Sequence, residues 1–174
     1  MRRDITKVEV GLSLGSNLGD RLANLVEARR RLLQSCDVTI VAQAPVYETE
    51  PVGVKPQYRD IKFLNTMLIL NHCFTPHDCY QHLRSIEDAM GRQRTMDRYA
   101  PRAIDIDVIY AGDFSLESGG LKIPHPHWSE RRFVVQPLAD VRPDLILPGQ
   151  TQTVRQILEA LPQEEAVSLF QREW

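Results

Sequence analysis

The segment at residues 103–110 (AIDIDVIY) alternates apolar and acidic side chains through its central part. Strict period-two alternation predicts a β-strand with one buried face and one polar face. Asp105 and Asp107 would project together from the polar face, with Cα atoms roughly 6.5–7 Å apart. Two carboxylates held this close repel each other unless a positive charge lies between them. The fold must therefore place an acidic pair on one face of a sheet and supply cations beside it.

Other periodic segments predict the rest of the domain. Strands are expected at residues 8–14, 38–42 with 46–47, and 63–70, in addition to 103–110. Helices are expected at residues 20–35, 75–91, 132–140 and 151–161, the first capped by Asp20 and the second by Thr75. The order up to residue 110 is that of an α+β fold, a ferredoxin-like βαββαβ sandwich with additional C-terminal elements. Both long helices would cover one sheet face and leave the other free to carry a site.

Length and composition limit the classes of partner. A chain of 174 residues fits one domain, residues 1–174, with residues 1–7 expected to form a flexible tail. A net charge of −2 gives no electrostatic reason to expect nucleic acid or a membrane as a partner. Cys36, Cys73 and Cys79 lie outside any C-x-x-C spacing. Such sparse cysteines are typical of reduced thiols, so a cytoplasmic location is expected.

Basic residues cluster on both sides of the acidic pair in sequence. Residues 91–102 contain Arg92, Arg94, Arg98 and Arg102, and a second cluster contains Lys122, His125, Arg131 and Arg132. Arginine forks suit phosphate oxygens, and Mg²⁺ prefers carboxylates combined with substrate phosphates. The pattern indicates phosphoryl transfer, although a solvated edge strand beside a solvated loop would also produce it. The glycine-rich motifs G-x-x-x-x-G-K-S/T and G-x-G-x-x-G are absent from the sequence, so arginines and metal ions would have to hold ATP.

Four segments, in this order, resemble the 6-hydroxymethyl-7,8-dihydropterin pyrophosphokinase family. They are residues 15–17 (GSN); 47–53 (YETEPVG) with 63–65 (FLN); 91–94 (GRQR) with 98–107 (RYAPRAIDID); and 123–126 (IPHP) with Arg131, Phe133 and 137–138 (PL). The resemblance spans residues 8–161 and so covers most of the chain.

The resemblance implies a monomer that moves the β,γ-diphosphoryl group of ATP to the hydroxymethyl oxygen of 6-hydroxymethyl-7,8-dihydropterin, with release of AMP, in folate biosynthesis. It implies that Asp105 and Asp107 bind two Mg²⁺ ions and that Arg92 and Arg94 complete the catalytic set. The residues that it implies for ATP are Glu87, Arg92, Arg94, Arg98, Tyr99, Arg102, Ile106, Lys122, His125 and Arg131. Those that it implies for the pterin are Thr49, Val52, Phe63, Asn65, Arg131 and Phe133.

Physical reasoning from the residues supports part of this assignment. Phe63 and Asn65 share one strand face, and an aromatic ring beside an amide suits a flat heterocycle, although core packing would also explain Phe63. The sequence offers no evident general base, which suits phosphoryl transfer because that reaction depends largely on positioning and charge. The loops at residues 48–61 and 93–101 are rich in proline, glycine and polar residues, and we expect them to close over ATP.

The chain also departs from the family pattern. Tyr99 and Ala100 stand where the family usually has tryptophan and glycine, and Arg84 stands where a glutamine often contacts nucleotide. The stretch at residues 53–63 is longer than usual. None of these departures removes a predicted metal ligand.

Two other functions stay open from the sequence. Residues 11–15 (GLSLG) fit the G-x-S-x-G elbow of serine hydrolases, with Ser13 as nucleophile, although Ser13 would lie inside a strand. A non-enzymatic ferredoxin-like binding module, for RNA as one example, would share the fold. Its sheet, however, would lack the interleaved aromatic residues that stack on bases.

Overall fold

A computed structural model describes residues 7–34, 38–72, 75–92, 96–97, 99–163 and 166–174. Its strands are β1 (Val8–Ser16), β2 (Thr39–Gln43), β3 (Val46–Thr49), β4 (Phe63–His72), β5 (Asp105–Ala111), β6 (Leu116–Ser118), β7 (Leu121–Ile123) and β8 (Val167–Gln171). Its α-helices are α1 (Arg21–Leu33), α2 (Pro76–Ala89), α3 (Arg132–Val141) and α4 (Val154–Ala160), and single helical turns lie at Pro56–Tyr58 and Trp128–Glu130. Apart from Lys7, the predicted N-terminal tail lies outside these ranges. Within them, no helix combines the length and the apolar character needed to cross a membrane.

The main sheet is antiparallel and has the strand order β5-β1-β4-β3-β8, with β2 also paired to β4. β2 and β3 pair with successive stretches of the same edge of β4. β6 and β7 form a separate hairpin. Sequence patterns predicted no strand after residue 161, so β8, which extends the sheet beyond β3, is a correction to the predicted element order.

Both long helices begin where the sequence predicts. The Asp20 side chain accepts a hydrogen bond from the backbone N–H of Ala23 at 3.0 Å, and Thr75 accepts one from Asp78 at 3.2 Å. These contacts satisfy backbone donors that have no partner in the first turn of a helix. α1 ends two residues before the predicted end.

Two hydrophobic clusters pack against opposite faces of the sheet. Leu25, Ala28 and Leu32 of α1 and Leu83 and Ile86 of α2 lie in one cluster, which confirms that both long helices share a face. The second cluster contains α3 and α4 with Met67, Ile69 and Ile109. The prediction that this second face would be free is therefore wrong for the half that α3 and α4 cover. The uncovered half lies where β5 begins and where β1 and β3 end.

β5 keeps the predicted alternation only in its first part. Ile106 and Val108 belong to the cluster under α1 and α2, as the period-two pattern requires. A register shift then occurs, because Gly11 pairs with Tyr110 whereas Leu12 pairs with Val108. The extra residue is Ile109, which joins the cluster on the opposite face together with Tyr110. Alternation alone places Ile109 on the face of the acidic pair, and the bulge turns Tyr110 onto that same face, where strict alternation would have turned it away.

A polar contact fixes the end of α3 to the sheet. The Glu9 carboxylate accepts hydrogen bonds from the Tyr110 hydroxyl at 2.6 Å and from Nε and Nη2 of Arg142 at 3.0 and 2.9 Å. On the same face, but on β3 rather than β1, the Tyr47 hydroxyl donates to Asp140 at 2.5 Å. Because both contacts hold the C-terminal part of α3, they also set where its N-terminal residues point.

We expect Glu9→Gln to lower the free energy of unfolding at pH 7 by about 1 kcal/mol, after allowance for the partial exposure of Glu9. Hydrogen bonds from Arg142 are the main cause that lowers the pKa of Glu9 below its ordinary value of 4.5. The stabilisation is therefore present above pH 4.5 and is lost as pH falls through the lowered pKa of the folded state. Urea unfolding at pH 7 and below pH 4 would measure both values.

Glu117→Gln is the matched control, because Glu117 is exposed and its ion pair in the described part of the chain is with the exposed Lys122 at 3.1 Å. It should change the free energy of unfolding by less than about 0.5 kcal/mol at either pH. Equal effects of the two substitutions at pH 7 would contradict a special role for Glu9.

Candidate active site

A cavity of about 490 Å³ opens on the uncovered half of the sheet. Its floor comes from three neighbouring strands, because Gly15 of β1 pairs with Asn65 of β4 on one side and Asp105 of β5 on the other. Ser13 pairs with Asp107 in the same way, two residues along. Residues that are directly opposite on paired strands point to the same face. The register thus brings an amide, a hydroxyl and both carboxylates onto one surface.

Gly15 keeps the floor open between the amide and the first carboxylate. A Cβ atom at this position would lie 2.9 Å from Oδ1 of Asn65 and 3.7 Å from Cδ1 of Phe63. The first of these distances is shorter than real Cβ contacts allow, so a larger residue would displace Asn65. The absence of a side chain at residue 15 therefore shapes the cavity.

Asp105 is neutralised by arginines on both of its oxygens. Nη1 of Arg92 donates to Oδ1 at 2.5 Å, and Nη1 of Arg102 donates to Oδ2 at 3.1 Å. Arg92 also pairs with Glu87, whose carboxylate is 2% exposed and accepts the backbone N–H of Ile106 at 2.9 Å. Burial is the main cause that raises the pKa of Glu87, and the Ile106 N–H opposes it. Arg92 therefore forms ion pairs with both the buried Glu87 and the cavity-facing Asp105.

Asp107 is the less compensated member of the acidic pair. It lines the cavity but accepts no hydrogen bond from any residue that the structure describes. Burial raises its pKa to about 7, with further contributions from the negative charges of Asp105 and Glu87, while Arg131 and Arg92 oppose the rise. Such a carboxylate favours an added cation in contact with it.

A metal ion on this floor would need ligands from a substrate. No group of three or more His, Cys, Asp or Glu side chains arranged to hold a metal ion occurs among the described residues. Asp105 and Asp107 supply carboxylate oxygens from one face, and Mg²⁺ commonly combines one or two carboxylates with phosphate oxygens and water. The donor set therefore fits Mg²⁺ bound together with a phosphorylated ligand.

His125 contributes a neutral imidazole to the cavity wall. Its backbone N–H donates to the carbonyl of Ile109 at 2.9 Å, which fixes the segment after β7 against β5. Burial lowers the pKa of His125 to about 4, and the nearby positive charge of Arg131 adds to this effect. The neighbouring His127 is exposed, its Nδ1 lies 3.3 Å from Oε2 of Glu130, and it does not line the cavity beside His125.

The other end of the cavity is apolar and aromatic. Phe63, Val52 and Phe133 line it, and Nδ2 of Asn65 donates to Oγ1 of Thr49 at 2.7 Å. That contact fixes the amide so that its Oδ1 faces Gly15. The guanidinium of Arg131 lies 5.9 Å from the centre of the Phe133 ring, between the aromatic end and the acidic end.

Most of the predicted site residues that the structure describes meet in this cavity, but three do not line it. Lys122 is 51% exposed and pairs with Glu117, because its neighbours Leu121 and Ile123 turn inward and strand alternation turns residue 122 outward. Lys122 does not line the cavity, and its contact with ATP stays a prediction. Glu87 and Ile106 stand behind the wall, where Glu87 supports Arg92. Arg94 and Arg98 lie outside the described residues.

Comparison with known proteins identifies the family. Residues 11–143 match the family model described as 7,8-dihydro-6-hydroxymethylpterin-pyrophosphokinase (HPPK). The chain belongs to the HPPK family.

Several relatives show how much of this HPPK-family chain is shared. The 2-amino-4-hydroxy-6-hydroxymethyldihydropteridine pyrophosphokinase of Methylorubrum extorquens is 39% identical over 150 residues, which cover 86% of this chain and 91% of that protein. The protein of the same name from Pseudomonas aeruginosa is 35% identical over 155 residues, covering 89% and 93%. The folate synthesis bifunctional protein of Arabidopsis thaliana is 39% identical over 133 residues, and the matched region covers 76% of this chain but only 27% of that longer protein.

Solved structures agree on the fold. The crystal structure of Plasmodium falciparum HPPK-DHPS with pteroate superposes with a TM-score of 0.70 at 13% identity, covering 90% of this chain and 41% of that one. At this identity the likeness concerns the fold alone.

Sequence reasoning missed several cavity residues of this HPPK-family chain. They are Ser13, Gly15, Glu50, Val54 and Asp97, while Arg84 and Ala100 were noted only as departures from the family pattern. Ser13 and Gly15 carried a usable signal, since they share a face of the first strand. Arg84 lies with its guanidinium 5.1 Å above the Tyr80 ring, a contact between residues one helical turn apart.

The two loops beside the cavity are joined by a cluster that we call the loop tie, formed by Lys55, Tyr58 and Asp97. Nζ of Lys55 donates to Oδ2 of Asp97 at 2.8 Å, and the Tyr58 hydroxyl donates to the same oxygen at 3.1 Å. The hydrogen bond from Lys55 is the main cause that lowers the pKa of Asp97. The loop tie holds together two segments that both contribute cavity residues, so breaking it should loosen the cavity mouth.

We expect Lys55→Met to speed amide hydrogen exchange severalfold in residues 52–60 and 99–102, because the loops lose their charged contact. Arg155→Met is the matched control, since Arg155 forms an exposed pair with Asp144 at 3.5 Å far from these loops. Mass spectrometry of peptides from both variants would compare the rates. Unchanged exchange in Lys55→Met would show that the loops are held by other contacts.

Proposed function

We propose that this chain transfers the β,γ-diphosphoryl group of ATP to the hydroxymethyl oxygen of 6-hydroxymethyl-7,8-dihydropterin and releases AMP. The observation that carries the proposal is the acidic floor: Asp105 and Asp107 face one cavity, with Arg92, Arg102 and Arg131 beside them. Membership of the HPPK family and the names of the full-length bacterial relatives support the same reaction.

Asp105 and Asp107 are the residues that would hold Mg²⁺ with the phosphate chain. When bound, the metal neutralises charge on the bridging oxygens of the polyphosphate. Arg92 and Arg102 already point at this floor, and a phosphate chain would compete for their donors as the cation takes over Asp105. The roles of Arg94 and Arg98 in binding ATP rest on the resemblance alone.

The aromatic end of the cavity suits the pterin. Phe63 and Phe133 offer ring faces for a flat heterocycle, and Oδ1 of Asn65 offers an acceptor for an edge N–H. Thr49 fixes that amide, so the orientation of the acceptor is set before a ligand arrives. A floor with an aromatic end and an acidic end matches a reaction between a heterocyclic alcohol and a polyphosphate.

Positioning would carry most of the rate enhancement. Holding the hydroxymethyl oxygen in line with the β-phosphorus turns an encounter of two substrates into a reaction within one complex. We assign no general base. His125 lines the acidic end of the cavity, and its pKa of about 4 makes it a weak base. Phosphoryl transfer also requires little proton removal before its transition state.

Several predictions from the sequence about the fold, the oligomeric state and the location also belong to this proposal. The strand order β5-β1-β4-β3 is consistent with a ferredoxin-like arrangement to which β8 has been added. A single domain, a monomeric state and a cytoplasmic location stay predictions. Of the alternative functions, a serine hydrolase is disfavoured because Ser13 lies in the middle of β1, paired on both sides, rather than at a strand-to-helix turn. A binding module leaves the arginine-flanked acidic floor unexplained.

Asp107→Asn should reduce kcat roughly 100-fold or more, because the amide cannot replace a carboxylate as a metal ligand with the same charge. The fold should persist, since the substitution removes a carboxylate whose charged form is disfavoured by burial and by Asp105. Formation of AMP from ATP and 6-hydroxymethyl-7,8-dihydropterin, with and without Mg²⁺, is the measurement.

Asp113→Asn, at an exposed position just after β5, is the control and should keep full activity. Failure of the unaltered protein to form AMP in the presence of Mg²⁺ would refute the proposed reaction. A near-normal rate for Asp107→Asn would refute the metal assignment while leaving the reaction in place.

Gly15→Ala should raise the KM for the pterin roughly tenfold or more, equivalent to about 1.4 kcal/mol, and should change the KM for ATP less. The reason is the contact that the new methyl group would make with Oδ1 of Asn65. Gly11→Ala is the matched comparison, because its Cβ would meet the Tyr110 ring at 2.2 Å, away from the cavity. It should lower the melting temperature without changing the ratio of the two KM values, and the same ratio in both variants would contradict the placement of the pterin.

A further inference from the structure

Ser13 is a polar residue of the cavity floor with no evident task in the fold. Its side chain is 8% exposed and lines the cavity from the middle of β1. Within the described part of the chain, its hydroxyl takes part in no hydrogen bond. A hydroxyl that lines a cavity without a partner in the protein is available to a ligand or to a neighbouring side chain that turns towards it.

The residue opposite Ser13 also lacks a hydrogen-bond partner among the described residues. Asp107 is its direct partner on β5, and directly opposite Cβ atoms in an antiparallel pair lie about 4.5–5.5 Å apart. Within the described ranges, Asp107 is an acceptor without a donor, and the hydroxyl proton of Ser13 has no acceptor. On its other side Ser13 pairs with Met67, whose thioether is too weak an acceptor to compete.

The two carboxylates of the floor are therefore held differently. Asp105 is fixed by Arg92 and Arg102, which engage both of its oxygens. Among the residues that the structure describes, none donates a hydrogen bond to Asp107, so no such bond sets the orientation of its carboxylate. A ligand group that turns freely must lose that freedom when it binds a cation, which weakens binding.

We propose that Ser13 is a positioning residue that donates its hydroxyl proton to one oxygen of Asp107 and leaves the other oxygen for the cation. This inference rests on the proposed function, because it requires that Asp107 bind a divalent metal with the nucleotide. The hydroxyl would close onto Asp107 through a rotation about the Ser13 Cα–Cβ bond as the site fills. Arginines then fix one carboxylate of the pair, and a strand hydroxyl fixes the other.

The test is the affinity for Mn²⁺, which accepts the same oxygen ligands as Mg²⁺ and is read directly by electron paramagnetic resonance. Binding would be measured with an unreactive ATP analogue present, so no turnover is needed. Ser13→Ala should weaken Mn²⁺ binding roughly tenfold or more, as loss of a group that orients a metal ligand commonly does. Ser13→Thr keeps the hydroxyl and should restore most of the affinity. In turnover, Ser13→Ala should raise the Mg²⁺ concentration for half-maximal rate and leave the KM for the pterin unchanged.

Ser16→Ala is the matched control for loss of a hydroxyl from the same strand. The Ser16 hydroxyl accepts from Nδ2 of Asn24 at 3.2 Å, so its removal should lower the melting temperature without changing Mn²⁺ affinity. Unchanged Mn²⁺ affinity in Ser13→Ala would overturn the inference, as would a loss confined to the KM for the pterin. An unaltered protein that neither binds Mn²⁺ with nucleotide nor forms AMP would instead overturn the proposed function, so the two failures are distinguishable.

Discussion

One guanidinium connects the interior of this protein to its cavity. Arg92 pairs with Glu87, a buried residue in the last turn of α2, and with Asp105, which faces the cavity. Removing Arg92 would take the closer of two cations from the buried Glu87 carboxylate, since Arg84 lies 3.8 Å from it, and such a loss is costly in a medium of low polarity. Glu87, Asp105 and Asp107 nevertheless lie close together here. The positive charges of Arg92 and Arg102 mainly compensate the charge of Asp105. The charged form of Asp107 is poorly compensated, which raises its pKa, so a cation that binds beside it would stabilise that charged form.

The site also depends on contacts far from the cavity. Arg131 and Phe133 lie at the start of α3, whereas the contacts that fix this helix to the sheet involve Asp140 and Arg142 at its other end. A short rigid helix transmits position along its axis, so Tyr47 and Glu9 influence where the two cavity residues point. α3 therefore completes the core over one half of the sheet and delivers a cation and a ring to the other half.

The sequence was informative wherever local periodicity decides structure. The alternation at residues 103–110 predicted the acidic pair, because burial on one face of a strand forces the polar residues to the other. Capping residues located both long helices for a similarly local reason. By contrast, the bulge at Ile109, the pairing of β8 with β3 and the outward direction of Lys122 depend on the register between distant segments. The same limit applies to Ser13, which looked like part of a hydrolase motif until the pairing with Asp107 was known.

Register also explains how one floor serves two unlike substrates. Gly15 lies between Asn65 on β4 and Asp105 on β5, so these two side chains are separated by two strand spacings, roughly 9.5 Å. In the proposed reaction, the edge of the pterin would form hydrogen bonds with Asn65, and the phosphate chain would bind near Asp105. The hydroxymethyl group would lie between them, above residue 15. A side chain at residue 15 would occupy space between these two groups, since its Cβ would already lie 2.9 Å from Oδ1 of Asn65. The glycine at residue 15 therefore leaves room for the proposed reaction and also permits the close packing against Asn65.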